Sequence, residues 1–183
     1  MRIGTIVGSL SAVSINRRIL AALAEIIGDR AELVELRIDD LPLYNRDLDD
    51  RFPEAAVRFK EQLGAVDGIV FVTPEYNRSM PAALKNALEW GSRPGGENAF
   101  PGIPAGVLGA SGGRLGTALA QHQLREVLAY LDMPTLGQPE MYLTFDAAEL
   151  DPVTGAVTDP ALRKRLERWS ERFLAHVAQH PRA

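Results

Sequence analysis

Three short stretches carry side chains whose types and spacing could do chemistry. The first runs Gly8-Ser9-Leu10-Ser11-Ala12-Val13-Ser14-Ile15-Asn16-Arg17 and crowds hydroxyls and an amide behind a short apolar run. Small donors ahead of a helix, where backbone N–H groups stand unpaired and the dipole is positive, are suited to holding a phosphate. Each charge-assisted hydrogen bond there contributes about 1.5–3 kcal/mol, enough to offset acidic surroundings. The stretch lacks the second glycine and the Lys-Ser/Thr pair of a Walker A loop, and it is not G-x-G-x-x-G. Triphosphate hydrolysis and ordinary dinucleotide binding are therefore disfavoured. The same residues also fit a plain turn in which Ser14 caps a helix and Ser9 fills a bend.

The second stretch is Pro74-Glu75-Tyr76-Asn77, closed by Pro81. Two prolines stiffen it, Tyr76 offers an aromatic face, and Asn77 offers an amide able to pair with carbonyl and ring-nitrogen edges. Such a loop suits a planar ligand; taken alone it is also an ordinary proline-bounded connection. The third is Ser111-Gly112-Gly113, followed by Arg114. Adjacent glycines let the backbone come close to a ligand, and a helix start behind them favours negative charge. Arg114 fits either a nucleotide phosphate or solvent. Beside these lies a glycine-rich segment, Arg93 to Pro104, which reads either as a substrate flap, with Phe100 as its candidate contact, or as a surface connection.

Other constellations carry less. His176 and His180 are four apart, as two ligands on one helix face would be, but no acidic third ligand accompanies them. Asp39, Asp40, Asp47, Asp49 and Asp50 lack the spacing of a calcium loop and read as a solvated acidic segment. His122 has no Ser-Asp pattern around it, and Gly109-Ala110-Ser111 is not a nucleophile elbow. The chain has no cysteine, which excludes a disulfide scaffold, a thiol nucleophile and an iron–sulfur cluster. Any redox chemistry would have to come from a cofactor.

These loops need elements to position them. With 183 residues and 46% hydrophobic content, the chain is expected to form one domain spanning residues 1–183. Its net charge of −4, without a long run of either sign, argues against a nucleic-acid or membrane-surface partner. The apolar run Ile3 to Val7 is too short for a membrane span, so a soluble cytoplasmic protein is expected. Short apolar runs predict strands at Arg2 to Val7, Glu32 to Leu36, Gly68 to Thr73, Ala105 to Gly109 and Thr135 to Gly137. Helical spacing predicts helices at Ile15 to Ile27, Glu54 to Leu63, Pro81 to Trp90, Leu115 to Leu131 and Pro160 to Gln179, the last capped by Asp159. Alternation of strand and helix, with strands apolar throughout, predicts an α/β fold with a five-stranded parallel sheet covered on both faces; the commonest doubly wound three-layer domain of that size is flavodoxin-like, with the order 2-1-3-4-5. Ligands in such folds bind beyond the carboxyl ends of the strands, where the three stretches would converge.

Together, GSLSAVSIN and PEYNRSMPAALKNALEW resemble the NADPH-dependent FMN reductase family, flavodoxin-like flavoenzymes that include chromate, quinone and azo-dye reductases. The resemblance extends through VDGIVFVTPEYN and the region Gly112 to Asp132. It implies a bound FMN whose phosphate is held by Ser9, Ser14 and Asn16, with Ser11, Ile15 and Arg17 in the same site. It further implies that Pro74, Glu75, Tyr76 and Asn77 border the isoalloxazine ring and that Ser111, Gly112 and Gly113 lie beside it. Relatives commonly carry arginine two positions after the serine matching Ser9, where this chain has Ser11; Arg17 or Arg18 would compensate, or phosphate affinity would fall. By the same resemblance, no protein side chain is catalytic: electrons would pass from NADPH or NADH through FMN to a small-molecule acceptor such as a quinone, azo compound, chromate or free flavin, with ping-pong kinetics. Homodimers or homotetramers assembled through the helix at Leu115 to Leu131 are implied as well. The alternative is a flavodoxin-like electron carrier with no turnover of its own.

Overall fold

The computed structural model describes residues 1–151 and 153–182. Five strands, β1 (Arg2–Val7), β2 (Glu32–Glu35), β3 (Gly68–Val72), β4 (Ala105–Ser111) and β5 (Tyr142–Thr144), form one parallel sheet in the order β2-β1-β3-β4-β5. The helices are α1 (Ile15–Ile27), α2 (Glu54–Gly64), α3 (Ala82–Gly91), α4 (Ala118–Tyr130) and α5 (Pro160–Gln179).

The central strands are apolar throughout because both of their faces are covered. Along β3, Ile69 and Phe71 pack with α2, α3 and α4, while Val70 and Val72 pack with α1 and α5. This alternation follows from the two-residue period of a strand. The α1 stripe Ile19, Ala22, Leu23 and Ile27 meets the α5 stripe Leu162, Leu166, Trp169, Phe173 and Val177, all buried. Asp159 caps α5 by accepting from the Leu162 N–H at 2.7 Å, and Pro160 follows at the first helical position, where its missing N–H costs nothing.

Three expectations change. The fifth strand forms at Tyr142–Thr144, not at Thr135 to Gly137; Thr135 makes a single parallel bridge to Ala105 before Gly137 and Pro139 interrupt the ladder. Helix α4 begins at Ala118 rather than Leu115, because Gly116, at φ 56°, turns the chain first. Its core face is Ala120, Gln121, Leu124 and Leu128, leaving Leu115 and Leu119 half exposed. Phe100 is fully buried, packed against Gly91, so the segment from Arg93 to Pro104 is anchored in the core rather than presenting Phe100 to a ligand. On α2, Ala56 takes the buried position and Val57 faces solvent.

Candidate functional site

The loop after β1 is drawn across the top of the sheet by Gly8, whose N–H donates to the Val72 carbonyl at 2.9 Å. A Cβ at Gly8 would stand 3.3 Å from both Pro74 and Pro81, so this is where the first and second loops touch. The chain then turns: Ser14 N–H reaches the Ser11 carbonyl at 3.2 Å, and Ser14 Oγ accepts from the Arg17 N–H at 3.3 Å. Ser14 is thus the N-cap of α1, and capping and ligand binding are compatible roles here. The cap satisfies Arg17, while the N–H groups of Ile15 and Asn16 find no acceptor among the described residues. Two orphan donors at a positive helix end, flanked by the Ser9 and Ser11 hydroxyls, form a donor set that fits a phosphate.

Asn16 does something the sequence did not disclose. Its side chain is buried; Nδ2 donates to the Ala110 carbonyl and Oδ1 accepts from the Ala110 N–H, both at 2.9 Å. The amide is committed to joining the first loop to the third, and what it leaves for an anion is its backbone N–H. Ser9, also buried, has its hydroxyl 3.5 Å from the Tyr76 hydroxyl.

The second loop is a tight hairpin. Tyr76 and Ser79 exchange backbone hydrogen bonds of 3.0 and 2.9 Å around Asn77 and Arg78, both left-handed at φ 51° and 64°. That is the geometry of a type I′ turn, which matches strand twist. The hairpin is stapled to α4: Glu75 Oε2 accepts from the Leu119 and Ala120 N–H groups at 3.0 and 3.2 Å, and Ser79 Oγ donates to Gln123 Oε1 at 2.6 Å. Glu75 also pairs with Arg78 at 3.2 Å, and its carboxylate is only 5% exposed. Its negative charge therefore supplies the cap that Thr117 does not provide. Tyr76 stands half exposed at the mouth.

In the third loop, Ser111 Oγ donates to the Gly116 carbonyl and accepts from the Gly113 N–H at 3.2 Å, which holds Gly112 and Gly113 in an exposed turn. Gly109 lies just before it, and any Cβ there would run into the Thr73 carbonyl oxygen.

The three loops enclose one cavity of about 300 Å³. Its wall includes Ser9, Ser11, Ser14, Ile15, Asn16, Pro74, Glu75, Tyr76, Ser111 and Gly112 from the expected set, and adds Val13 and Ala110. Asn77, at the corner of the hairpin, is outside the wall, as are Gly113 and Arg17. Val13 and Ala110 carry no polar side chain and gave no signal in the sequence beyond their position in the loops. Arg17 pairs with Glu35 at 2.8 Å, and the Arg18 guanidinium stands over the Phe145 ring, 5.1 Å from its centroid.

The other candidates resolve into structure. His176 and His180 bond to the Pro134 and His176 carbonyls, both at 2.9 Å, and no metal-ligating cluster exists among the described residues. His122 forms an exposed pair with Glu126 at 3.2 Å. Asp39 and Asp40 are not merely solvated: Arg37 and Arg58 grip them with paired hydrogen bonds, which hold both carboxyls below the usual carboxylate range. No helix among the described residues is long and apolar enough to cross a membrane.

Residues 1–148 match the family model for NADPH-dependent FMN reductase. A 2-hydroxy-1,4-benzoquinone reductase from Burkholderia sp is 43% identical over 177 residues, covering 97% of this chain and 96% of the relative. A quinone reductase from Pseudomonas putida is 41% identical over 176 residues, covering 96% of this chain and 94% of the relative. Among solved structures, FerB, a flavoenzyme NAD(P)H:(acceptor) oxidoreductase from Paracoccus denitrificans, superposes with a TM-score of 0.95 at 36% identity, covering 99% of both chains.

Proposed function

The chain belongs to the NADPH-dependent FMN reductase family, and on that premise we propose that it is an NAD(P)H-dependent quinone reductase that works through bound FMN. The observation that carries this reading is the convergence of the three loops on one cavity lined by Ile15 and Asn16, whose backbone N–H groups find no acceptor among the described residues. Ser9, Ser11, Ser14 and the start of α1 would hold the phosphate. Pro74, Glu75 and Tyr76, with Ser111 and Gly112 opposite, would border the ring, and Asn77 and Gly113 would flank it from outside the wall.

Bound FMN would supply two-electron exchange between a nicotinamide nucleotide and an acceptor. The chain's own residues bind, orient and shield; none needs to act as nucleophile or general base. The positive end of α4 is already taken up by the Glu75 carboxylate, so on the third-loop side the backbone of Gly112, in the cavity wall, is what would approach a reduced ring. Tyr76, half exposed at the mouth, is placed to meet whichever planar partner enters. One mouth serving donor and acceptor in turn implies ping-pong kinetics, with azo compounds, chromate and free flavin as further acceptors beside quinones. A steady-state panel of acceptors with both nucleotides would give parallel double-reciprocal lines; intersecting lines would refute the alternating use of the mouth.

We further infer that residues 1–183 serve as one flavin-binding domain and that the protein self-associates through α4, where Leu119 and Tyr130, with Leu115 in the turn just before it, are left exposed. Sedimentation would then give a dimer or tetramer, and a monomer at micromolar concentration would refute it. The flavin itself has a simple test. Purified protein should carry the yellow flavin spectrum, and Ser9→Asp, which sets a carboxylate against the phosphate, should strip it; a folded Ser9→Asp variant with full flavin content would remove the phosphate assignment.

A further inference from the structure

Between Gly4 and Asn16 the chain carries no basic residue, so the first cations available to an anion in the loop are Arg17 and Arg18, on the opening turn of α1. Both are engaged, but differently. Arg18 stands over the Phe145 ring, where no charge competes for it. Arg17 Nη1 lies 2.8 Å from Oε1 of Glu35, the last residue of β2, and each side chain of the pair is 40% exposed. A pair so open to water contributes little and is readily exchanged. A phosphate dianion offers the same guanidinium a charge-assisted, bidentate partner.

The backbone of Arg17 is fixed at the cradle, since its N–H donates to Ser14 Oγ, while its long side chain can swing. Arg17 lines a groove of about 470 Å³ whose wall includes Val13 and Ser14, the two residues that also line the loop cavity. Asp39 also feels the charge of Arg17, but it is already gripped by Arg37 through hydrogen bonds of 3.0 and 2.8 Å, whereas Glu35 is in direct ion-pair contact with Arg17. Glu35 is thus the carboxylate in contention for Arg17.

Resting on the FMN reading above, we propose that Arg17 is the cationic partner of the flavin phosphate and that Glu35 sets flavin affinity by competing for it. On binding, Arg17 leaves one exposed ion pair and gains a stronger one, so flavin retention is tuned from outside the cavity by a residue that never touches the ring.

The test is a thermodynamic cycle on the full chain, with FMN release on serial dilution read by flavin fluorescence. Glu35→Gln should tighten FMN about twofold to fivefold at low salt, the range expected for removing one exposed competitor. Arg17→Gln should weaken it by about tenfold or more, and in that background Glu35→Gln should change nothing. Riboflavin, which has the ring but no phosphate, should bind all four proteins equally when titrated into flavin-stripped chains. An unchanged FMN affinity in Glu35→Gln, an effect that survives in the Arg17→Gln background, or an equal effect on riboflavin would each overturn the proposal. A wild-type chain that binds no FMN at all would instead overturn the cofactor reading on which it stands.

Discussion

The side-chain amide of Asn16 bonds the backbone of Ala110 in both directions, at 2.9 Å each way, across 94 residues of sequence. With that pair of bonds the end of β4 is locked to the start of α1, and two of the three loops of the site become one rigid wall. Asn16→Ala strands a buried N–H and a buried carbonyl, each costing about 1–3 kcal/mol when unsatisfied. Urea denaturation should therefore show a loss of about 2–4 kcal/mol, with an unchanged m-value, accompanied by loss of flavin. An Asn16→Ala variant as stable as wild type would mean that the lock carries no energy.

Glu75 gives a second, separable prediction. Its carboxylate caps two N–H groups of α4, so Glu75→Ala should cost about 1–2 kcal/mol, the usual range for a lost cap. In a chain of this size that corresponds to a melting temperature lower by about 2–8 °C. Glu75→Gln keeps the acceptor oxygen and should recover at least half of the loss. Equal melting for Glu75→Ala and wild type would show that Ser79–Gln123 alone holds the hairpin on the helix.

Gly109 and Gly112 should respond oppositely to the same change. A methyl at Gly109 collides with the Thr73 carbonyl and forces β3 and β4 apart, whereas nothing lies within 4 Å of a Cβ at Gly112. Gly109→Ala should cost about 3 kcal/mol or more, at the upper end of overpacking effects. Gly112→Ala should stay within about 0.5 kcal/mol, as open surface sites do. Comparison of urea midpoints decides it, and similar midpoints would contradict the close approach at Gly109.

The parallel sheet was legible in the sequence because the central strands are buried on both faces and read as unbroken apolar runs, and its order, β2-β1-β3-β4-β5, is the commonest one for a doubly wound domain of this size. Helix α5 was legible to the residue, since its stripe and its Asp159 cap are local signals. The fifth strand was not: its apolar start at Thr135 and its hydrogen-bonded part at Tyr142–Thr144 are separated by Gly137 and Pro139, and pairing with β4 is a long-range choice. The start of α4 was misplaced because Leu115 continues the helical spacing while Gly116 breaks it. At the site, the residue types singled out three loops that the structure brings onto one cavity, but not their division of labour. Asn16 and Glu75 looked like side-chain ligand contacts, yet the amide of Asn16 is committed to Ala110 and the carboxylate of Glu75 to the start of α4 and to Arg78. Partners that distant in sequence leave no trace in local spacing.

On the reading proposed above, the cavity holds a flavin that takes electrons from a nicotinamide nucleotide. Anaerobic stopped-flow mixing of the purified protein with NADPH, and separately NADH, tests it most directly by following the visible flavin bands. Bleaching at a rate that saturates with at least one nucleotide is expected, as is return of the bands when a benzoquinone is added. Flavin that stays bound and fully oxidised with both nucleotides would contradict that reading and leave an electron carrier as the better description.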